Sequence, residues 1–359
     1  MVNERDPDGE KPLYYATGNG DLQTVRWLVE RNADVNSKSQ FVPTAFLRAA
    51  QMGHLDIAKF LIEEANVDVN SFGDVGWTAL HYAAERGHLN IVGWLVEERK
   101  VNVNANHRDG VRALHGATAP EIIKYLVQNG ADVNAQTNWG RTALQSAAIR
   151  GQLDLVQWMI EERNAEVNTR DLDGTTALLL AARENNFDIV KCLLQKGTDP
   201  ITPTSDGRTL LHYAAKFGHV EIARWLVEEQ GGDFNGKTIG GLTPWIYAVI
   251  GHERSTYKAR TELLMDKSLN GASIGRLAGI KWLMQVPDIE LNAKTSEGNT
   301  ALHLCAWQGN LDLVRCVVEA MRNVDIYAKN DEGVTAADLA QAGGFTDIFD
   351  YISTQMTAS

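Results

Sequence analysis

An all-α solenoid of about ten stacked helix-turn-helix units is predicted by three observations. The chain has 359 residues, more than one compact core usually supports, so it must either divide into domains or repeat a small unit. GWTALHYAAERGHLNIVGWLVEE at 76 to 98 is nearly identical to GRTLLHYAAKFGHVEIARWLVEE at 207 to 229. The same frame returns as GRTALQSAAIRGQLDLVQWMIEE (140 to 162), GTTALLLAARENNFDIVKCLLQ (174 to 195) and GNTALHLCAWQGNLDLVRCVVE (298 to 319), with a period of 33 to 34 residues.

Each element of the unit has a physical reason. Leu80, Ala83 and Ala84 give a short first helix a small-residue face that lets a second helix approach closely. Gly87 supplies the turn between the two. Ile91, Val92, Trp94, Leu95 and Val96 form the apolar stripe of the second helix. Val101-Asn102-Val103-Asn104 and the following Asp109-Gly110 read as an extended arm and tight turn leading into the next unit. One such pair cannot bury its apolar face alone, so the units must stack. Ten units begin near residues 8, 41, 74, 107, 138, 171, 206, 240, 296 and 331, and together they are expected to make a single solenoid over 1–359. Residues 1–40 carry the N-terminal repeat. Residues 331–359, with the degenerate GVTAADLAQAGGFTDIFDYI, read as a C-terminal cap.

Thr-Ala-Leu-His, Ala-Ala-x-x-Gly-His and Ala-Asp-Val-Asn at this spacing resemble the ankyrin repeat, and the likeness covers nearly the whole chain. Eight of the nine histidines fall on repeat positions. For His81, His115, His212 and His303 in the Leu-His slot, the resemblance implies hydrogen bonds that tie neighbouring hairpin loops together. His54, His88, His219 and His252 hold the Gly-His slot at the start of the second helix and are expected to be structural. His107, in NANHRDG, is the exception, expected to project into solvent towards the concave groove.

Totals exclude several function classes. With 34 basic and 46 acidic residues the formal net charge is −12, which argues against non-specific binding to nucleic acid or anionic membrane. MVNERDPDGE offers no apolar signal-peptide core and no run approaches membrane-spanning length, so a soluble, intracellular, cytoplasmic protein is expected. Three cysteines without a C-x-x-C pair support neither a disulfide framework nor a zinc ribbon. No G-x-S-x-G elbow, no H-E-x-x-H and no clustered metal ligands occur, so neither catalytic residues, metal nor cofactor is assigned. GGDFNGKT at 231 to 238 matches the phosphate-binding pattern G-x-x-x-x-G-K-T. That chemistry needs a buried strand before the loop and a helix opening directly after it. HVEIARWLVEEQ before it reads as a helix and TIGGLTPW after it as a turn, so an inter-repeat loop is expected.

Candidate binding residues are those that the repeat does not need. Trp27, Trp94, Trp158, Trp225 and Trp282 share one slot on the second helix and are expected in the core or on the back face. Trp77 and Trp139 lie in hairpin tips, Trp307 at the end of a first helix, and Tyr82, Tyr213 and Phe217 nearby. All six are expected to face the concave side, where aromatic residues suit a binding surface. Arg86, Arg108, Arg112, Arg141, Arg150, Arg183, Arg208 and Lys216 fall in the same tips and helix ends, diluted by Glu85, Asp109 and Glu184. Glu63-Glu64, Glu97-Glu98, Glu161-Glu162 and Glu228-Glu229 recur at the ends of second helices and read as a solvated ridge.

Two departures from the period stand out, because loops that break register often carry function. In the fourth unit Arg112 to Ile122 spans 10 residues where Thr78 to Ile91 spans 13, so its first helix should be short. In the eighth, Thr243 to Ile280 spans 37, which inserts HERSTYKARTELLMDKSLNGASIG at 252–275 with a helix expected over 257–264. TPWIYAVIGH there is expected to replace the small-residue face with Trp245, Ile246 and Tyr247. The sequence leaves two readings open: a non-enzymatic scaffold gripping a protein or acidic peptide on its concave face, or an enzyme or small-molecule binder using the groove of repeats 3–8 with the insertion as a lid.

Overall fold

Threonine opens many of the first helices because its hydroxyl can accept from a backbone N–H that the first turn leaves unpaired. Thr176 Oγ1 accepts from Leu179 N at 3.4 Å and Thr243 Oγ1 from Ile246 N at 3.3 Å. In the Leu-His repeats the cap is reciprocal: Thr78, Thr209 and Thr300 donate their own N–H to Nδ1 of His81, His212 and His303 at 3.3, 3.1 and 3.2 Å. With Nδ1 accepting, the proton sits on Nε2. That atom donates to a carbonyl of the next hairpin: Val111 for His81, Ala135 for His115, Leu242 for His212 and Val334 for His303, at 3.1, 2.8, 3.1 and 3.0 Å. His54, His88 and His219 instead donate back to Gly18, Gln51 and Arg183 of the preceding repeat, at 3.2, 3.0 and 2.9 Å. Gly53 shows why glycine accompanies that histidine: its φ is +84° and a Cβ there would stand 2.7 Å from the His88 ring.

The computed structural model describes residues 2–7, 9–37, 44–73, 76–251, 279–320 and 324–358. Among the described residues the helices form ten successive pairs, which is an ankyrin-type solenoid. They run Pro12–Gly18 and Leu22–Glu30, Ala45–Met52 and Leu55–Glu63, Ala79–Arg86 and Leu89–Gly93 continuing through Trp94–Glu98, Ala113–Gly116 and Pro120–Gln128, and Ala143–Ile149 and Leu153–Arg163. Then come Ala177–Arg183 and Phe187–Gln195, Leu210–Phe217 and Val220–Gln230, Pro244–Ile250 and 279–283, Ala301–Gln308 and Leu311–Ala320, and Ala336–Gly343 and Thr346–Ala358. The fourth repeat's first helix has four residues, as the shortened spacing requires. His252 and the whole 252–275 insertion lie outside the described residues.

By internal packing the chain divides into two compact units, residues 1–147 with 154–166, and residues 148–153 with 167–359. In the first unit Phe46, Leu47, Ile57, Leu61, Ile91, Leu95, Leu114, Ile122, Ile123, Leu126 and Leu144 are among the largest fully buried side chains. The hairpin tips are joined by backbone bonds, Asn138 N to Asp109 O (2.8 Å) in the first unit, and Ser205 N to Asp173 O (3.0 Å) and Ile239 N to Asp206 O (2.9 Å) in the second. In the second unit, fully buried Trp245 donates Nε1–H to Leu291 O at 3.1 Å. Trp245, Ile246 and Tyr247 take the Leu, His and following slots. The small-residue face is therefore kept by Ala248, with Val249 beside it, and is not replaced as expected; both are wholly buried.

Two other expectations resolve here. GGDFNGKT follows the helix Val220–Gln230, whose end is the left-handed Gly231 (φ +63°), and the next helix opens only at Pro244. Lys237 Nζ faces Glu290 Oε2 at 3.3 Å. The strand and the immediate helix of a phosphate loop are both missing from these residues. Of the slot-sharing tryptophans, expected in the core or on the back face, Trp94 and Trp158 are buried, whereas Trp27 is 49% exposed and so is not a core residue. Phe60 and Trp158 lie under Arg26 and Lys124 of the preceding repeat at 4.4 and 5.5 Å, while the cation over Trp27, at 4.2 Å, is Arg31 just past the end of its own helix.

Candidate binding faces

In the first unit Trp77 is half-buried at the base of its hairpin. Its ring centroid lies 5.3 Å from Tyr82, 5.9 Å from His81 and 6.4 Å from His107, the last at 90°. Edge-to-face aromatic contacts at these separations are favourable. Trp77, Tyr82 and His107 are thus brought together by packing. His107 is only 8% exposed, so its expected projection into solvent is wrong. The reason is the hairpin: His107 Nδ1 accepts from Asp109 N at 3.0 Å, as Asp171 Oδ1 accepts from Asp173 N at 3.1 Å in the equivalent position. Its buried Nε2 has no hydrogen-bond partner. Trp139, at the tip of the fifth repeat, is 52% exposed.

The predicted basic residues are less available than their sequence positions suggest. Arg86 lies 3.5 Å from Glu85, Arg112 lies 3.3 Å from Asp132, Arg183 lies 2.7 Å from Glu184, and Arg208 lies 2.5 Å from Asp206. Each cation has an acidic neighbour in its own or the adjacent hairpin, so half of the predicted patch is internally compensated. Arg108 and Arg150 are exposed and Arg141 is half-buried.

The second unit builds a cluster of its own. Tyr247, 2% exposed, has the Arg208 guanidinium 5.8 Å and the Lys216 ammonium 5.7 Å from its ring centre, with the His212 ring edge-on at 5.5 Å. Lys216 also lies 5.8 Å over Phe217, whose ring stacks on His219 at 5.9 Å. Burial pushes the His212 imidazole down to about 4 and raises the Tyr213 phenol, against the opposing pull of Arg208. Trp307, at the end of its first helix, is 60% exposed. Tyr247 was missed as a candidate, although the register of T243-P-W-I-Y247 against T209-L-L-H-Y213 puts it in the slot of Tyr213 and Tyr82.

The acidic ridge is not simply solvated. Arg26 pairs bidentately with Glu64 at 2.7 and 2.8 Å, Lys59 lies 3.7 Å from Glu98, Arg99 bonds Glu63, and Tyr125 OH donates to Glu97 at 2.7 Å. Burial and that carboxylate push the Tyr125 phenol up to about 12. Among the described residues no cluster of His, Cys, Asp or Glu is placed to hold a metal ion, and no helix is long and apolar enough to cross a membrane.

Helical hairpins joined by tip-to-tip backbone bonds, with threonine–histidine caps reaching from one repeat to the next, define a helical repeat protein. Family models described as ankyrin repeats match residues 1–73, 46–137 and 111–204, and further ones match 184–227 and 288–340. The chain belongs to the ankyrin repeat family. It is 29% identical over 226 residues to "Putative palmitoyltransferase ZDHHC13" of Danio rerio, covering 62% of this chain and 31% of that protein. It is 28% identical over 165 residues to NF-kappa-B inhibitor zeta of Bos taurus, covering 41% of this chain and 22% of that protein. With Notch-regulated ankyrin repeat-containing protein of Homo sapiens it shares 31% identity over 104 residues, 29% of this chain and 90% of the relative. The chain thus spans less than a third of the length of the first two.

Proposed function

We propose that this chain is a non-enzymatic binding scaffold that grips a protein or peptide segment with its hairpin tips and first-helix ends. The observation that carries this reading is the exposure of Trp139 and Trp307, 52% and 60%, at positions that stacking does not use. A large ring left in water is what an interface later desolvates, and tryptophan and arginine dominate interface energies when buried at the centre. The name NF-kappa-B inhibitor zeta describes an action on another protein, which fits a scaffold. A partner's acidic groups would compete with Glu85, Asp132, Glu184 and Asp206 for arginines already paired. Those arginines would therefore select among partners more than they add affinity.

The test replaces Trp139 and Trp307 together by alanine and compares capture of proteins from a cell lysate by the wild type and the folded variant. Trp77 is left alone because its ring packs on His81, Tyr82 and His107. Loss of a hot spot of about 2 kcal/mol weakens binding roughly thirtyfold, so captured partners should disappear. Equal capture overturns the assignment. A metabolite that raises the melting temperature without any protein partner would support the small-molecule reading instead.

A further inference from the structure

We infer that the hairpin arms of the second unit form a docking strip for an acidic segment that also carries aliphatic side chains. This inference rests on the scaffold function and gives its partner a chemistry. Two positions before the hairpin tip, repeats 6, 8, 9 and 10 hold Arg170, Lys237, Lys294 and Lys329, with Pro203 in repeat 7. All four cations are exposed. At the tip itself, Leu172 is 72% and Ile239 79% exposed, and Ile201 on the arm of repeat 7 is 60% exposed.

Burial alternates along each arm. Arg170 is exposed, Asp171 buried and Leu172 exposed; Lys237 is exposed, Thr238 buried and Ile239 exposed. In both arms one buried residue separates an exposed cation from an exposed aliphatic at the turn, so cation and aliphatic both stand on the outward side. The charges there are hardly compensated. Arg170 Nη2 donates to Pro203 O, and Lys294 Nζ donates to Lys329 O at 2.9 Å. A carbonyl orients a cation without cancelling its charge. Lys329 makes no ion pair among the described residues, and the Lys237–Glu290 contact at 3.3 Å joins two side chains about half exposed, a kind of pair worth little.

Past the tip the sign changes, with Asp173, Asp206, Glu297 and Glu332 on the return side, while in repeat 10 the tip residue itself is acidic, Asp331. A partner is therefore oriented, its carboxylates set against the approach arms. The same position in repeats 3 to 5 of the first unit holds Phe72, Asn106 and Gln136, none of them charged. On a chain of net charge −12, a positive row beside exposed aliphatics matches an acidic, apolar sequence and no other simple chemistry. A purely anionic polymer would leave Leu172 and Ile239 in water, and a basic segment would be repelled.

The probes are three fluorescent peptides of equal length: alternating glutamate and leucine with serine spacers, the same with lysine for glutamate, and the same with serine for leucine. A single-stranded oligonucleotide serves as a fourth. The full chain should bind the acidic-leucine peptide, and at least about tenfold more weakly once Arg170→Glu, Lys294→Glu and Lys329→Glu are combined, with helicity and melting temperature kept. That variant should gain affinity for the lysine peptide. Leu172→Ser with Ile239→Ser should abolish the preference for leucine over serine peptides. Affinity of the wild type should fall as salt rises, because exposed charges are screened. The inference is overturned if the reversed variant binds the acidic peptide as the wild type does, or if the oligonucleotide binds more tightly than the peptide. Partner capture lost with Trp139 and Trp307 but unchanged by charge reversal would refute the strip while leaving the scaffold function intact.

Discussion

The back of the first unit and the arms of the second both carry cations at nearly every repeat, yet they use them differently. On the back, Arg26 covers the Phe60 ring and grips Glu64, Lys124 covers Trp158, and Lys59 faces Glu98, these three reaching towards the next repeat. On the arms, Arg170 and Lys294 meet carbonyls. The lesson is that a surface cation opposite a ring or a carboxylate is consumed by stacking, whereas one opposite a carbonyl keeps its field for something outside the chain.

The largest expected effect tests whether the two regions respond separately. Leu180 is 1% exposed in the second unit, and Leu180→Ala should destabilise by about 2 to 5 kcal/mol. Because each repeat contacts mainly its neighbours, amide exchange should quicken across the second unit while the helices Leu22–Glu30 and Leu55–Glu63 stay protected. Simultaneous opening of every repeat would remove the distinction between the regions.

Next in size is a pH effect that separates hairpins from ridge. Burial holds His212 down at about 4 and lowers His81, His115 and His303. Their neutral form is the folded form, since Nδ1 accepts a hydrogen bond. Unfolded histidine binds its proton near 6.5, so this stability is complete above that pH and is lost as pH falls towards 4, by about 3 kcal/mol for His212 alone. Denaturation at pH 7, 5.5 and 4.5 should show the decline. His212→Gln should flatten it, because Gln145 already fills the slot in repeat 5, accepting from Thr142 N at 2.9 Å. Glu64 on the ridge is lowered by Arg26, so its contribution persists through this window and fails only below the usual carboxylate range. An unchanged slope in the glutamine variant would assign the decline elsewhere.

The smallest effect belongs to the ridge. Lys124→Ala uncovers the Trp158 ring and should cost about 0.5 to 1 kcal/mol, as expected of a partly exposed cation over an aromatic. It should leave binding of the acidic peptide untouched. A fall in peptide affinity equal to that from reversing the arm cations would erase the contrast between the two faces.

Much of this was legible from the residues. The Thr-x-x-His spacing announced the capping pairs, and the three-residue deletion after Arg112 announced the short Ala113–Gly116 helix. Asn186 could have been read as a stand-in for the Gly-His histidine, since its Nδ2 reaches Ala148 O at 2.8 Å in the same manner. His107 was misread because a histidine in a loop looks exposed, whereas the hairpin needed an acceptor there and buried the ring to obtain it. The arginines of the tips looked available because their carboxylate partners are either adjacent in sequence, as Glu85 is to Arg86, or twenty residues away, as Asp132 is from Arg112.

By itself the sequence determined the repeat, its period and the place of the two helices within it, because periodic burial is a local property that each segment states for itself. It also identified GGDFNGKT as a loop between repeats, since the flanking helix and turn are local too. Only the tertiary structure decided which charges remain available. Whether Arg26, Arg208 or Lys294 meets a ring, a carboxylate or a carbonyl depends on what the next turn or the neighbouring repeat presents across the gap, and a stretch of sequence does not carry that registration between side chains.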